Sequence, residues 1–146
     1  QKHPFTFRYE AGRIYGEVDL LKSVLLNLAD NACKASEEGK TIEVLGEKRK
    51  EGYFFAVKDE GVGISEEDCR RITEAFYMVD KSRSRSHNGA GLGLALCSEI
   101  LKLHGSRLEI RSTLGKGSTF AFVIPYPAEA DGGAAESRVR QTEDIR

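Results

Sequence analysis

The sequence predicts an α+β fold, a two-layer sandwich in which a mixed, mostly antiparallel sheet is covered by three helices. Segments with apolar residues at alternate positions are interleaved with segments whose apolar residues recur three and four apart, which predicts both strands and helices. Most predicted strands are joined by short turns, which antiparallel neighbours allow and parallel neighbours do not. A chain of 146 residues has the length of one domain with a core of its own.

The first third of the chain predicts two strands and a long helix. Apolar residues alternate over residues 5–10, and a turn leads into a short second strand around Ile14. The helical spacing begins at Asp19, which is expected to be the N-cap. The helix is expected to end near Glu38-Gly39, because glycine readily takes the left-handed conformation that ends helices.

The middle of the chain predicts a strand pair and a short helix. Strands are expected over about 41–48 and 53–58, with a charged turn between them. The apolar run at 53–57 is typical of a strand that is buried on both faces. Ser65 begins a capping box, which predicts a short helix through about Glu74.

The last part of the chain begins with an aperiodic stretch, residues 75–90, where we expect a mobile lid. A helix from Leu92 to Leu103 follows, and His104-Gly105 closes it. Two further strands are expected, one around 108–112 with one solvent-exposed face and one over 119–124. Residues 128–146 are expected to form a poorly ordered tail. The folded domain would then be residues 1–127.

Composition excludes several classes of protein. Lysine and arginine total 22 against 23 for aspartate and glutamate, so no nucleic-acid partner is expected. No stretch approaches the roughly 18 apolar residues that cross a bilayer. The cysteines, Cys33, Cys69 and Cys97, are odd in number and widely spaced, which favours a reducing compartment over a disulfide framework. The histidines are too scattered for a metal site.

Four short patterns could form a binding or catalytic site, although each could also be a feature without function, such as a solvated helix face or an ordinary turn. Asn27, Asn31 and Lys34 share one helix face, where an amide oxygen suits Mg²⁺ and a lysine suits phosphate. The segment Asp59–Gly63 offers a carboxylate acceptor and two glycines that permit a sharp turn and close approach to a ligand. The other two patterns are a glycine-rich helix start at 89–94, which suits phosphate, and a basic run at 81–85.

In this order, and followed by Gly115-Lys116-Gly117-Ser118-Thr119-Phe120, the patterns resemble the ATP-binding catalytic domain of sensor histidine kinases. That domain has the Bergerat-type fold of DNA gyrase B, Hsp90 and MutL, and the resemblance covers about residues 5–126. It implies that Asn31 holds Mg²⁺, that Asp59 binds the adenine amino group, that Ile64 lines the base pocket and that Thr119 lies close to the base. The residues that it implies in ATP binding are Asn27, Asn31, Lys34, Asp59, Gly61, Gly63, Ile64, Tyr77, Lys81, Arg83, Gly89, Ala90, Gly91, Leu92, Gly93, Leu94, Ser118 and Thr119. The implied catalytic residues are Asn27, Lys34 and Arg83.

The chain departs from the family pattern in two places and lacks one part. Met78 stands where the family often has an arginine, which moves the expected lid cation to Arg83, and Ala35 replaces a common aromatic residue. No histidine fits the phosphoacceptor pattern. The resemblance therefore implies a catalytic fragment, expected to be monomeric, that acts on the dimerisation and histidine phosphotransfer hairpin of the same kinase. A response regulator would act downstream, and the domain would lie on the cytoplasmic side of a membrane-anchored bacterial sensor.

Two other classes of function remain alternatives. ATPases of the gyrase and Hsp90 kind, and the related anti-sigma serine kinases, carry a glutamate where this chain has Asn27. An amide cannot act as the general base that activates water, so fast hydrolysis is disfavoured. The other alternative is a pseudokinase, which binds nucleotide only to signal. Met78 is compatible with this alternative because it stands where the family often has an arginine.

Overall fold

The computed structural model describes residues 3–14, 16–74 and 93–127. Within these ranges the chain forms one five-stranded sheet and three helices, which confirms the predicted α+β class and the three helices, whereas the sequence predicted one strand more. In chain order the elements are β1 (Phe5–Tyr9), α1 (Val18–Ala35), β2 (Ile42–Lys48), β3 (Gly52–Asp59), α2 (Glu66–Cys69), α3 (Gly93–Leu103), β4 (Glu109–Thr113) and β5 (Gly117–Pro125).

The sheet has the strand order β1-β2-β3-β5-β4. The pairs β2–β3, β3–β5 and β4–β5 are antiparallel, whereas β1 and β2 are parallel because the chain passes through α1 between them. The helices cover one face, and the core lies between them and the inward side chains of the sheet. The largest fully buried side chains include Phe120, Phe122, Leu21, Leu28 and Ile42.

The other face of the sheet, called the open face, carries none of the helices of the described ranges, so the expectation that 53–57 is buried on both faces holds at Ala56, which is 1% exposed, but not at Phe54. Phe54 points to the open face and is only partly buried, with the Arg49 guanidinium 3.6 Å from its ring centroid. Lys58, on the same face, is exposed. The apolar run at 53–57 therefore has aromatic rings that pack on the helix-covered face of the sheet and the Phe54 ring, covered by Arg49, on the open face.

Helix α1 begins and ends at residues other than those predicted. The N-cap is Glu17, whose side chain makes no capping bond, and Asp19 lies in the first turn instead. The N–H of Glu17 donates to Nε2 of His104 at 3.0 Å. The helix ends at Ala35 with Ser36 as C-cap, so the predicted end at Glu38-Gly39 is three residues late; Gly39 has φ 92 in the turn that follows.

Smaller predictions are corrected or confirmed by local structure. No strand forms at Ile14, which is buried in the core from an irregular segment and needs no strand partner for that. The N-cap Ser65 accepts the Asp68 N–H at 3.1 Å as predicted, but α2 ends at Cys69, and residues 70–74 form turns rather than helix. Helix α3 ends at a left-handed Gly105 (φ 69) as predicted.

The three cysteines are free, as expected, and burial raises the pKa of the Cys97 thiol to about 12. None of the helices in the described ranges combines the length and apolar character that spanning a membrane requires. The predicted lid at 75–90 and the predicted tail at 128–146 fall outside the described residues.

Candidate functional site

A buried carboxylate lies where β3 ends. Asp59 is 3% exposed, and its Oδ1 accepts hydrogen bonds from the N–H groups of Gly61 (2.8 Å) and Ser118 (3.2 Å). In the described part of the chain, buried Oδ2 has no hydrogen-bond partner. Burial raises the pKa of the Asp59 carboxyl group, and the two N–H groups offset only part of that rise. Since an unsatisfied buried acceptor is unfavourable, Oδ2 is suited to a donor group on a ligand.

The loop after Asp59 is held between two other parts of the chain. A Cβ at Gly61 would lie 2.3 Å from the carbonyl oxygen of Ala35, and one at Gly63 would lie 2.2 Å from that of Thr113. The Val62 N–H donates to the Ala35 carbonyl at 3.1 Å. These glycines are therefore required by contact between protein backbones, whereas the sequence pattern suggested close approach to a ligand.

Helix α1 carries three of the predicted site residues on one face. Asn27 donates from Nδ2 to the Ser23 carbonyl at 2.9 Å, and a Cβ at Gly93 would lie 3.1 Å from its Oδ1. Asn27 thus lies where α1 meets the first residue of α3. Lys34 forms an ion pair with Asp30 at 3.0 Å. The Asn31 side chain, partly buried, makes no hydrogen bond to a residue in the described ranges.

The strand register places Ser118, and not Thr119, beside Asp59. Ser118 is directly paired with Asp59 and is buried on the helix-facing side of the sheet. Thr119 is paired with Lys58 on the open face. Successive residues of a strand point to opposite faces, so Thr119 lies on the face opposite to Asp59 and Ser118, and its place close to a bound base stays a prediction.

The remaining predicted residues divide into two groups. Ile64 and Leu94 belong to the hydrophobic core, where their exposed fractions are 8% and 9%. The residues that lie outside the described ranges are Tyr77, Lys81, Arg83, Gly89, Ala90, Gly91 and Leu92, and their roles stay predictions. Asn27 therefore joins α1 to α3 at one place, and Asp59, Gly61 and Ser118 meet at another.

Sequence reasoning missed Ser112, which lies on β4 next to Ser118. Its Oγ is 2.7 Å from the Ser118 Oγ and accepts the Ile64 N–H at 2.7 Å. A signal was present, because Ser112 is a polar residue at an inward position of an alternating strand. Such a residue needs hydrogen-bond partners from neighbouring elements.

The chain belongs to the family of histidine kinase-, DNA gyrase B- and HSP90-like ATPases, whose model matches residues 16–128. ATP binding follows from that membership. Within the family, the chain is similar in sequence to a region of sensor proteins and in structure to the catalytic domains of histidine kinases.

The sensor protein SrrB of Staphylococcus aureus (strain NCTC 8325 / PS 47) is 36% identical over 123 residues, which make up 84% of this chain and 21% of SrrB. The chain thus spans about a fifth of the length of that relative. The catalytic domain of the histidine kinase ThkA, in a nucleotide-free form, is 28% identical with a TM-score of 0.72, covering 85% of this chain and 80% of that one. Full-length ShkA in complex with AMPPNP is 28% identical with a TM-score of 0.71, covering 86% of this chain and 27% of that one.

Proposed function

We propose that this domain binds Mg²⁺·ATP and donates the γ-phosphate to a histidine on a separate dimerisation and phosphoacceptor hairpin of the same kinase. The observation that carries the proposal is the unpartnered Oδ2 of buried Asp59 in a chain of an ATP-binding family. The AMPPNP complex of ShkA, a relative in structure, supports the same class of ligand.

Asp59 is proposed to bind the base. The exocyclic amine of adenine is a donor, so it satisfies Oδ2 and removes the penalty of a buried acceptor without a partner. Guanine places a carbonyl oxygen at the corresponding position, which a carboxylate repels. The residues present therefore fit adenine better than guanine.

The face of α1 that carries Asn31 and Lys34 is proposed to meet the phosphates. Mg²⁺, when bound, neutralises phosphate charge, and the neutral amide oxygen of Asn31 belongs to the oxygen ligands that it accepts. Lys34 would exchange its ion pair with Asp30 for a phosphate oxygen. Arg83 and the glycines of 89–93 would supply further positive potential, from an arginine and from backbone N–H groups.

Phosphoryl transfer requires mainly positioning and charge stabilisation. An imidazole nitrogen of the acceptor histidine attacks the γ-phosphorus, the bond to the bridging oxygen breaks, and ADP leaves. The hairpin brings a carboxylate that takes the imidazole proton. Asn27 contributes no general base, so water is not activated and the phosphate is reserved for the histidine.

The setting of the domain follows as part of the proposal. A response regulator would take the phosphate from the hairpin, and the domain, monomeric by itself, would work on the cytoplasmic side of a membrane-anchored sensor. The description of SrrB as a sensor protein supports this setting.

Radiolabelled γ-phosphate tests the proposal. The domain is incubated with ATP and Mg²⁺, first alone and then with the purified hairpin of its own kinase. We expect slow hydrolysis and no labelling of the domain alone, and acid-labile, base-stable label on the hairpin. Rapid turnover by the domain alone would support an ATPase instead, and an unlabelled hairpin would support a pseudokinase.

A further inference from the structure

Three adjacent strands carry a row of polar side chains at one end of the sheet. Asp59 on β3 is directly paired with Ser118 on β5, and Ser118 is directly paired with Ser112 on β4. Directly paired side chains lie within contact distance. The row therefore connects Ser112, which is not among the predicted site residues, to the carboxylate that is proposed to bind adenine.

Ser112 Oγ meets three groups. The Ile64 N–H donates to it at 2.7 Å, it donates to the Gly117 carbonyl oxygen at 3.0 Å, and the Ser118 Oγ lies 2.7 Å away. A hydroxyl group has one proton and two lone pairs. All three contacts are satisfied together when Ser112 gives its proton to Gly117 and accepts the protons of Ile64 and Ser118.

This arrangement determines the polarity of Ser118. Because the Ser118 hydroxyl proton is directed to Ser112, the Ser118 Oγ has only acceptor lone pairs left for another partner. The neighbouring Asp59 Oδ2 is also an acceptor, and the backbone N–H of Ser118 already donates to Asp59 Oδ1. The row then presents acceptors and no donor to a bound base.

We propose that Ser112 is a positioning residue for base selectivity, which acts by directing the Ser118 proton away from the base and by anchoring the loop at Ile64. The inference rests on the proposed function, because it concerns the base that Asp59 binds. An acceptor-only row favours the amine of adenine and disfavours the carbonyl oxygen of guanine. Without Ser112, the Ser118 hydroxyl is free to rotate and to donate to that carbonyl oxygen.

Titration calorimetry with ATP and GTP tests the proposal on four single variants and one double variant of the chain. Ser112→Ala is expected to narrow the ratio of the two dissociation constants by about tenfold, the effect of one redirected hydrogen bond. Ser112→Thr keeps the hydroxyl and should retain the parent ratio. Thr113→Ala, at the exposed neighbouring position, is the matched control and should also retain it.

The fourth variant shows whether Ser112 acts through Ser118. Ser118→Ala should narrow the ratio as well, and adding Ser112→Ala to it should change the ratio no further. A lower melting temperature of Ser112→Ala with the parent ratio would overturn the proposal and leave a structural role only. If Ser112→Ala does not fold, an unchanged ratio in Ser118→Ala would overturn it.

Asp59→Asn separates this inference from the proposed function. If the parent chain binds neither nucleotide, or if Asp59→Asn leaves both affinities unchanged, the proposed adenine site is wrong. If Asp59→Asn abolishes discrimination while Ser112→Ala and Ser118→Ala keep it, only the role of Ser112 is wrong.

Discussion

At the scale of single residues, Asp59 destabilises the empty fold and is proposed to stabilise the liganded one. Burial raises its pKa above the ordinary value of the unfolded chain, so the folded domain holds the proton more tightly than the unfolded chain does. The free energy of unfolding therefore falls as pH rises through the range in which Asp59 ionises. A buried carboxylate that carries such a penalty, with Oδ2 lacking a partner in the described residues, is typical of a binding site.

Asp59→Asn is expected to raise the melting temperature of the empty domain at pH 7 while it weakens ATP binding. The amide removes the buried charge but places a donor where the adenine amine donates. Calorimetric melting and ATP titration measure the two effects. Since Asp59 in the parent chain becomes protonated at low pH, the difference in melting temperature should shrink as the pH falls from 7 towards the raised pKa. A difference that does not depend on pH would contradict this account.

At the scale of elements, the loop over residues 60–64 is shaped by its neighbours. Gly63 has φ 78, and a Cβ there would lie 2.2 Å from the Thr113 carbonyl oxygen. Gly39 has a similar φ of 92, but nothing lies within 4 Å of a Cβ built on it. A side chain at Gly39 would meet only the free-energy cost of the left-handed backbone, whereas one at Gly63 would also clash with the Thr113 carbonyl group.

Gly63→Ala is expected to lower the free energy of unfolding by about 3 kcal/mol or more, because two backbones would have to move apart. Gly39→Ala is the matched control and should cost about 1–2 kcal/mol, the penalty of the left-handed conformation. Chemical denaturation of both variants measures the difference. Equal losses would show that the Thr113 contact does not constrain the loop.

The start of helix α1, which carries the proposed phosphate-binding face, is capped by His104, the residue that follows the end of α3. The His104 Nε2 accepts the Glu17 N–H at 3.0 Å, and Nδ1 lies 2.9 Å from the Ile100 carbonyl oxygen. The neutral imidazole therefore carries its proton on Nδ1 and acts as the cap that the Glu17 side chain does not provide.

His104→Ala is expected to lower the free energy of unfolding by about 1–2 kcal/mol, since it removes this cap. Lys102→Ala removes only an exposed ion pair with Glu99, so this control should change the free energy of unfolding by less than about 1 kcal/mol. Nitrogen chemical shifts of the ring report the tautomer. A proton on Nε2 of His104 would contradict the capping role.

At the scale of the whole molecule, the fold holds the two proposed ends of the nucleotide on separate elements. Asp59 and Ser118 lie on central strands of the sheet, whereas Asn27, Asn31 and Lys34 lie on α1. The backbone contact between Gly61 and Ala35 joins the loop after β3 to the end of α1. Because the two sets of residues lie on different elements, we expect mutations to change the proposed base binding and the proposed phosphate binding separately.

Arg83→Ala is expected to reduce transfer to the hairpin more than it reduces ATP affinity. A cation in the predicted lid would stabilise the charge that develops during transfer, so its loss should reduce the rate by about tenfold or more. The rate of hairpin labelling and the dissociation constant of ATP are measured on the same preparation. Equal losses in both quantities would assign Arg83 to ground-state binding instead.

The sequence by itself determined the order and type of most elements and the positions of the motifs. Periodicity and capping patterns are local, so a few neighbouring residues suffice to predict them, as they did for Ser65 at the start of α2. The apolar segment at Ile14 was the exception, because a single buried side chain does not require a strand.

Only the tertiary structure decided how the site is built. The cap of α1 comes from His104, which lies 87 residues away from Glu17 along the chain. The register of β3 with β5 places Ser118, and not Thr119, beside Asp59. The carbonyl oxygens of Ala35 and Thr113 leave no room for a Cβ at Gly61 and Gly63. Each of these features depends on partners that are distant in the sequence and that meet only when the sheet and its helices have packed.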